Sequence, residues 1–350
     1  MKRVLVPART LQALLLAAFC ATAFGQAPPA ATGARKAPAA APGAAGTVKV
    51  PAWPTRPVRL LIGFPPGSVQ DLSARAVSEG LSKALGQPVL VENKSGASGT
   101  IAADQVAKAT DLHTFGVMNN SQLTIARLLN SKVPYDPAKD LAPVALIGTT
   151  PMVLVVNASA PGSTPQEWLT WLRNLGEKAS YGSPGNGTPG HLGMELIKSR
   201  SGINALHVPY QGNPQIITAM LGNQLHAALL PPGLAMQQVK SGKLRAIGVT
   251  SERRSALAPE LLTLREVGVL GADVELWTAL AGPASLPPAV REKMAAALID
   301  VVKAEDTRQR LIAVGWQPTP STAEGLAVRM RGDTKTFGGI IMMRGIRADM

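Results

Sequence analysis

The residues best placed to hold a ligand lie in two glycine- and proline-rich turns. The first is Phe64-Pro65-Pro66-Gly67-Ser68-Val69-Gln70-Asp71, straight after the apolar run 58–62. The second is Tyr181-Gly182-Ser183-Pro184-Gly185-Asn186-Gly187-Thr188-Pro189-Gly190-His191, which leads into the apolar stretch 192–197. Each reads as strand, tight turn and helix start. A helix start leaves backbone N–H groups unpaired and carries the positive end of the helix dipole. Glycine admits a ligand close to that backbone, so such a turn can hold a carboxylate or phosphate without any arginine. Two such turns, far apart in sequence, suggest two lobes gripping one small anion.

Within the first turn, Pro65 and Pro66 stiffen the approach, Gly67 allows a close bend and Ser68 is a candidate N-cap. Asp71, three residues on, either closes a capping box or contacts the ligand. In the second turn Ser183, Asn186 and Thr188 offer side-chain donors, Gly187 exposes backbone, and Pro189 fits a first helical position. His191, one turn inside the helix, reads as a buried structural histidine. Asn119 and Ser121 in the Asn119-Asn120-Ser121 segment, and Tyr210-Gln211-Gly212, are secondary candidates at strand ends, where open α/β sheets place ligands.

Catalytic constellations are missing from the sequence. His113, His191, His207 and His226 show no metal-ligand spacing, and there is no Gly-x-Ser-x-Gly elbow, Walker loop or Rossmann fingerprint. No cofactor or metal is expected. A hydrolase using Ser183 or Asp71 stays open as the reading from another class.

The 350 residues, 46% hydrophobic, suffice for one large core or two moderate ones. Residues 1–25 read as a signal peptide: a basic start at Lys2, Arg3 and Arg9, an apolar stretch from Leu11 to Phe19, then small residues. Cys20, the one cysteine, falls inside this leader, so the exported chain would have no thiol chemistry. Residues 26–52, rich in alanine and proline, read as a linker that buries too little to fold. The formal net charge of +13 is dispersed, without interleaved aromatics or a nucleic-acid motif. It excludes no anion and identifies none; its expected effect is to speed capture of small anions.

Strand and helix patterns alternate. Strands are expected at 58–62, 88–92 and 115–118, with helices at 68–84 and 100–109 and a further helix from about Gln122. The apolar stretch 144–156 reads as two strands joined at a bend, the first crossing between lobes. A helix capped by Thr164, another running from the second turn to Ser199, a strand at 205–208, a helix at 214–221 and strands at 225–230 and 244–250 follow. Glu275–Gly282 would return to the first lobe, and helices at 288–303, 307–314 and 323–336 would pack onto it.

The order and spelling of the motifs from Trp53 to Asp349 resemble the Bug family, the periplasmic solute receptors of tripartite tricarboxylate transporters. The resemblance includes Trp53-Pro54-x-x-Pro57-Val58-Arg59-Leu60, Val91-Glu92-Asn93-Lys94-Ser95-Gly96-Ala97, Pro134-Tyr135-Asp136-Pro137, Gly185-Asn186-Gly187-Thr188, His207-Val208-Pro209-Tyr210-Gln211-Gly212 and Gly242-Lys243-Leu244-Arg245. It implies an α/β, two-lobed type II periplasmic binding protein fold with an interlobe cleft and two hinge crossings. Domain 1 would be 53–152 plus 275–350, and domain 2 would be 153–274. It further implies a monomeric periplasmic receptor that binds a small carboxylate and delivers it to a membrane permease. A receptor reporting to a sensor kinase is the alternative. Ser68, Val69 and Gln70 stand where the family carries smaller residues, and Val69 would narrow the pocket. The apolar Leu229-Leu230-Pro231 segment, where relatives often carry an acid or amide, favours a plain carboxylate over an amino acid.

Overall fold

Residues 53–347 are described by the computed structural model; the expected signal peptide and linker lie outside them. The chain begins with β1 (Val58–Ile62), α1 (Val69–Leu85), β2 (Val89–Asn93), α2 (Thr100–Ala107), β3 (Thr114–Asn119), α3 (Ala126–Leu129) and β4 (Leu141–Pro151). It continues through β5 (Val153–Asn157), α4 (Pro165–Leu175), β6 (Ala179–Ser183), α5 (Pro189–Ser201), β7 (Ala205–Pro209), α6 (Asn213–Leu221), β8 (Ala227–Leu230), α7 (Pro232–Lys240) and β9 (Leu244–Val249). Last come β10 (Glu275–Pro283), α8 (Pro288–Lys303), α9 (Glu305–Ala313), β11 (Gln317–Ser321) and α10 (Ala323–Arg344).

These strands form two sheets, ordered β11-β4-β10-β3-β1-β2 and β7-β6-β8-β5-β9. In the first, β1 runs parallel to β2 and β3, whereas β10 and β11 are antiparallel to their neighbours. In the second, β6 is parallel to β7 and β8, and β5 is antiparallel to β8 and β9. β3, β5 and β8 are buried along their whole length, as apolar runs must be when helices cover both faces of a sheet. This is the two-lobed α/β architecture expected from the alternation of strand and helix patterns.

Local signals set the helix ends that matter for the site. Ser68 caps α1, and α1 ends at Gly86 in the left-handed region. Thr188 caps α5 with Pro189 as its first residue. Thr164 and Glu167 close a full capping box on α4.

Two connections join the sheets. Met152 separates β4 from β5, and the segment after β9 returns to β10. The two run side by side through Thr250. Its N–H donates to Met152 O at 2.8 Å, and its hydroxyl accepts from Met152 N at 2.8 Å and donates to Val274 O at 2.5 Å. One side chain therefore ties both crossings together.

α7 and β11 were not expected from the sequence, and two expected elements take another form. The helix predicted from Gln122 begins as a π-helical turn, Ser121–Ile125, before α3. Asn119 Oδ1 accepts from Ser121 N at 2.8 Å and Gln122 Oε1 accepts the N–H of Asn119 at 3.0 Å, so side chains shape this wider turn. The last helix does not stop at Thr336 or confine itself to the first lobe. Its second half continues to Arg344, packs Phe337 and Ile340 with Leu192 and Leu196 of α5, and pairs Arg344 with Glu195 at 3.1 Å. Apolar residues recur beyond Thr336, and burial against α5 supplies the stabilisation that a glycine-bearing segment lacks on propensity alone.

Replacing Thr250 with Val keeps shape but leaves the Met152 N–H unpaired in a buried site. It should destabilise the protein by about 1–3 kcal/mol, read as a lower urea midpoint at unchanged slope. A midpoint equal to wild type would show that the crossings do not depend on this hydroxyl.

Candidate functional site

A cavity of about 760 Å³ opens between the lobes at the carboxyl ends of β1, β3, β6 and β7. Phe64, Ser98, Ser121 and Leu129 line it from one lobe; Asn186, Gly187, Tyr210 and Gln215 line it from the other. A second cavity of about 20 Å³ shares Phe64 and Pro184 with the first. Its walls are the first residues of four helices: Val69 and Gln70 of α1, Thr188, Pro189 and Gly190 at α5, Asn213 of α6 and Pro231 before α7. It has room for about one water-sized group. Among the described residues, no charged side chain lines either cavity.

Of the candidates named from sequence, Phe64, Ser121, Asn186, Gly187, Tyr210 and Gln211 line the large cavity. Phe64, Asn119 and Thr188 line the small one. Ser121 is 2% exposed and its Oγ has no hydrogen-bond partner among the described residues. A buried hydroxyl left open on a cavity wall is available to a ligand.

The remaining candidates hold the turns in shape. Asp71 is 2% exposed and accepts from Gly67 N at 2.9 Å, from Asn93 Nδ2 at 3.0 Å and from Arg75 Nε at 3.0 Å. Its bond to Gly67, at φ +76°, fixes the bend, while Ser68 Oγ accepts from Asp71 N. Asp71 therefore braces the turn and lines neither cavity. Burial raises its carboxyl pKa, but the hydrogen bonds from Arg75, Gly67 and Asn93 outweigh that and hold it below 3.8. Pro66 lies on neither lining, and Pro65 packs against Gly212, where an added Cβ would fall 2.9 Å from the Pro65 ring.

Ser183 is fully buried. Its Oγ lies 2.6 Å from His207 Nε2 and accepts from Gly185 N at 3.3 Å. His207 stacks between Tyr181 (4.9 Å) and His191 (4.0 Å, planes 8° apart). Beneath them the Tyr181 hydroxyl donates to Glu195 at 2.7 Å, and Glu195 also pairs with Lys198. Serine and histidine are in reach of one another, yet neither lines the cavity.

Gly187 lies in the cavity wall for a reason other than the expected one. Its N–H donates to His191 Nδ1 at 3.0 Å rather than pointing at a ligand. An added Cβ would come within 2.2 Å of Leu129 Cδ1, at a φ of +73°. The glycine thus lets the two lobes meet. Ser98 reinforces this contact by donating to Asn186 O at 2.8 Å.

Sequence reasoning missed Gln70, Asn213 and Ser98. Gln70 and Asn213 are 4% exposed, and both line the small cavity. The available signal was position, since each is an amide in the first turn of a helix that follows a glycine-containing bend.

Fold and cavity together define a solute-binding receptor of the two-lobed periplasmic type. Residues 73–346 match the family described as the tripartite tricarboxylate transporter family receptor. A UPF0065 protein of Bordetella pertussis is 32% identical over 305 residues, covering 87% of this chain and 94% of that protein. The structure of the periplasmic binding protein BugD superposes with a TM-score of 0.80 at 27% identity, over 85% of this chain and all of that one. R. palustris Rpa4515 with adipate gives 0.81 at 26% identity, over 84% and 99%. The chain belongs to the tripartite tricarboxylate transporter receptor family, also called Bug.

Because the Asp71 pKa is depressed on folding, its contribution is complete above the ordinary carboxylate range and is lost as pH falls through the lowered value. An Asp71→Asn variant should melt below wild type near neutrality, and the gap should narrow as pH drops below about 3.8. A gap that stays constant into acid would remove the charge from the explanation.

Proposed function

We propose that this receptor closes its lobes around the carboxylate of a small ligand in the periplasm and presents it to a membrane permease. The lobes would be residues 53–152 with 275–350, and 153–274. The observation that carries the reading is the meeting of four helix starts, α1 from one lobe and α5, α6 and α7 from the other, around one uncharged buried cavity. Each contributes partial positive charge where an anion would sit. Gln70, Asn213 and Ser121 add neutral donors, worth about 1 kcal/mol net per hydrogen bond. The adipate in the related Rpa4515 structure supports a carboxylate as ligand. Burial of Ser183 and the bracing role of Asp71 support binding over hydrolysis. Delivery to a transporter rests on the family alone.

A thermal-shift panel containing adipate, malate, citrate and benzoate should yield at least one stabilising carboxylate. For the best of them, Gln70→Ala and Ser121→Ala should each weaken binding about five- to tenfold by calorimetry. Unchanged affinity in both variants would place the anion elsewhere.

Gly187→Val should weaken the same ligand more than tenfold, because a β-branched residue is strained at a φ of +73° and its side chain would crowd Leu129 and Ile125 where the lobes meet. Small-angle scattering should then show no compaction at saturating ligand. Normal compaction would mean the lobes can close without the glycine.

A further inference from the structure

The chain carries a formal net charge of +13, yet none of that charge reaches the larger cavity, whose described lining has no Lys, Arg, His, Asp or Glu. Away from the four helix starts the wall is apolar or neutral: Ala126, Leu129 and Val133 on one side, Tyr210, Gln211 and Gln215 on the other. One carboxylate can be met by helix starts and neutral donors. A second or third, enclosed against such a wall, would lose its water without gaining a cationic partner. The volume, about 760 Å³, lies well within the range of clefts that enclose drug-sized ligands. Behind the helix starts, β8 supplies Leu229 and Leu230, both fully buried, so no acid stands there to receive an amino group.

We infer that the ligand is a monocarboxylate with a bulky, largely uncharged body, a ring-bearing acid rather than a di- or tricarboxylate or an amino acid. This rests on the carboxylate site proposed above and sharpens it. One carboxylate oxygen reaches the helix starts near Gln70 and Asn213, where the space holds about one water-sized group. The body fills the cavity between Phe64, Leu129 and Tyr210, where aromatic and aliphatic surfaces reward apolar area instead of charge. Ser121 Oγ, buried and without a partner among the described residues, receives either the second carboxylate oxygen or a hydroxyl on the body.

The test is calorimetry on the exported full chain with 4-phenylbutyrate, 1-naphthoate and indole-3-acetate as ring monoacids. Adipate and citrate serve as multiply charged acids, and 4-phenylbutyramide as the neutral counterpart. The best ring acid should bind at least tenfold more tightly than adipate or citrate, and at least tenfold more tightly than the amide. Adipate or citrate binding more tightly than every ring acid would overturn the inference and leave the carboxylate receptor standing. The amide matching its acid would instead overturn the carboxylate site itself. Binding by none of the probes counts against the inference. Val133→Lys, which places a cation on the wall, should raise the affinity for adipate relative to the best ring acid at least tenfold. An unchanged ratio would show that the missing wall charge does not set the preference.

Discussion

An anion buried where no cation faces it must be stabilised by oriented dipoles, and the carboxylate site we propose rests on that requirement. Backbone N–H groups at a helix start are fixed in direction by the helix itself, so they need no reorganisation when charge arrives. One helix start gives a modest effect that salt screens at a surface. Four starts around a buried cavity act where water is excluded, and the effective dielectric is lower there. Three of these starts, those of α5, α6 and α7, come from the second lobe, and the first lobe adds that of α1.

Bringing two backbones that close demands small residues and satisfied polar groups at the contact. Gly187 and Gly212 leave room for Leu129 and Pro65 of the opposite lobe. The N–H of Gly187 is occupied by His191 and that of Gly67 by Asp71, so the protein's own groups hold the shape of the turns. Such preorganisation lowers the ordering cost of binding. The stacked rings of Tyr181, His207 and His191 and the Glu195 pairings lie behind the second turn for the same end, and Arg344 of α10 reaches across to join them. The long last helix therefore couples the lobes a third time, beside the two crossings tied at Thr250.

Much of this was legible from the residues. Most of the strands and helices, the Ser68 and Thr164 caps and the two turns followed from period, proline and glycine, because these are local rules, whereas α7 and β11 were not read from the sequence. Asn119, Ser121 and Tyr210 were named because they sit at strand ends, and Phe64 and Asn186 because they sit in the two glycine- and proline-rich turns. What escaped was decided by contacts distant in sequence. The Asp71 choice between cap and ligand depended on Arg75 and on Asn93 of β2, and no spacing rule reports the latter. Ser183 found its partner in His207 on the adjoining strand β7, rather than in the nearer His191. The role of Gly187 turned on Leu129, a residue of the other lobe. The π-turn at Ser121–Ile125 arose from Asn119 and Gln122 side chains competing for backbone groups, which periodicity cannot register.

The distribution of charge completes the physical picture. Positive charge on the outside draws anions from a distance without regard to their shape, and it weakens with ionic strength. On the proposed reading, a neutral interior then discriminates by what must be desolvated: each further carboxylate costs hydration that the wall does not return, while each apolar contact gains. Attraction and selection are thereby separated in space. A cation placed inside the cleft would merge them, binding multiply charged acids tightly and losing the ability to tell a bulky acid from a small one. The arrangement of Asp71 fits this separation, since this buried carboxylate is held by Arg75, Asn93 and the N–H of Gly67 and lines neither cavity.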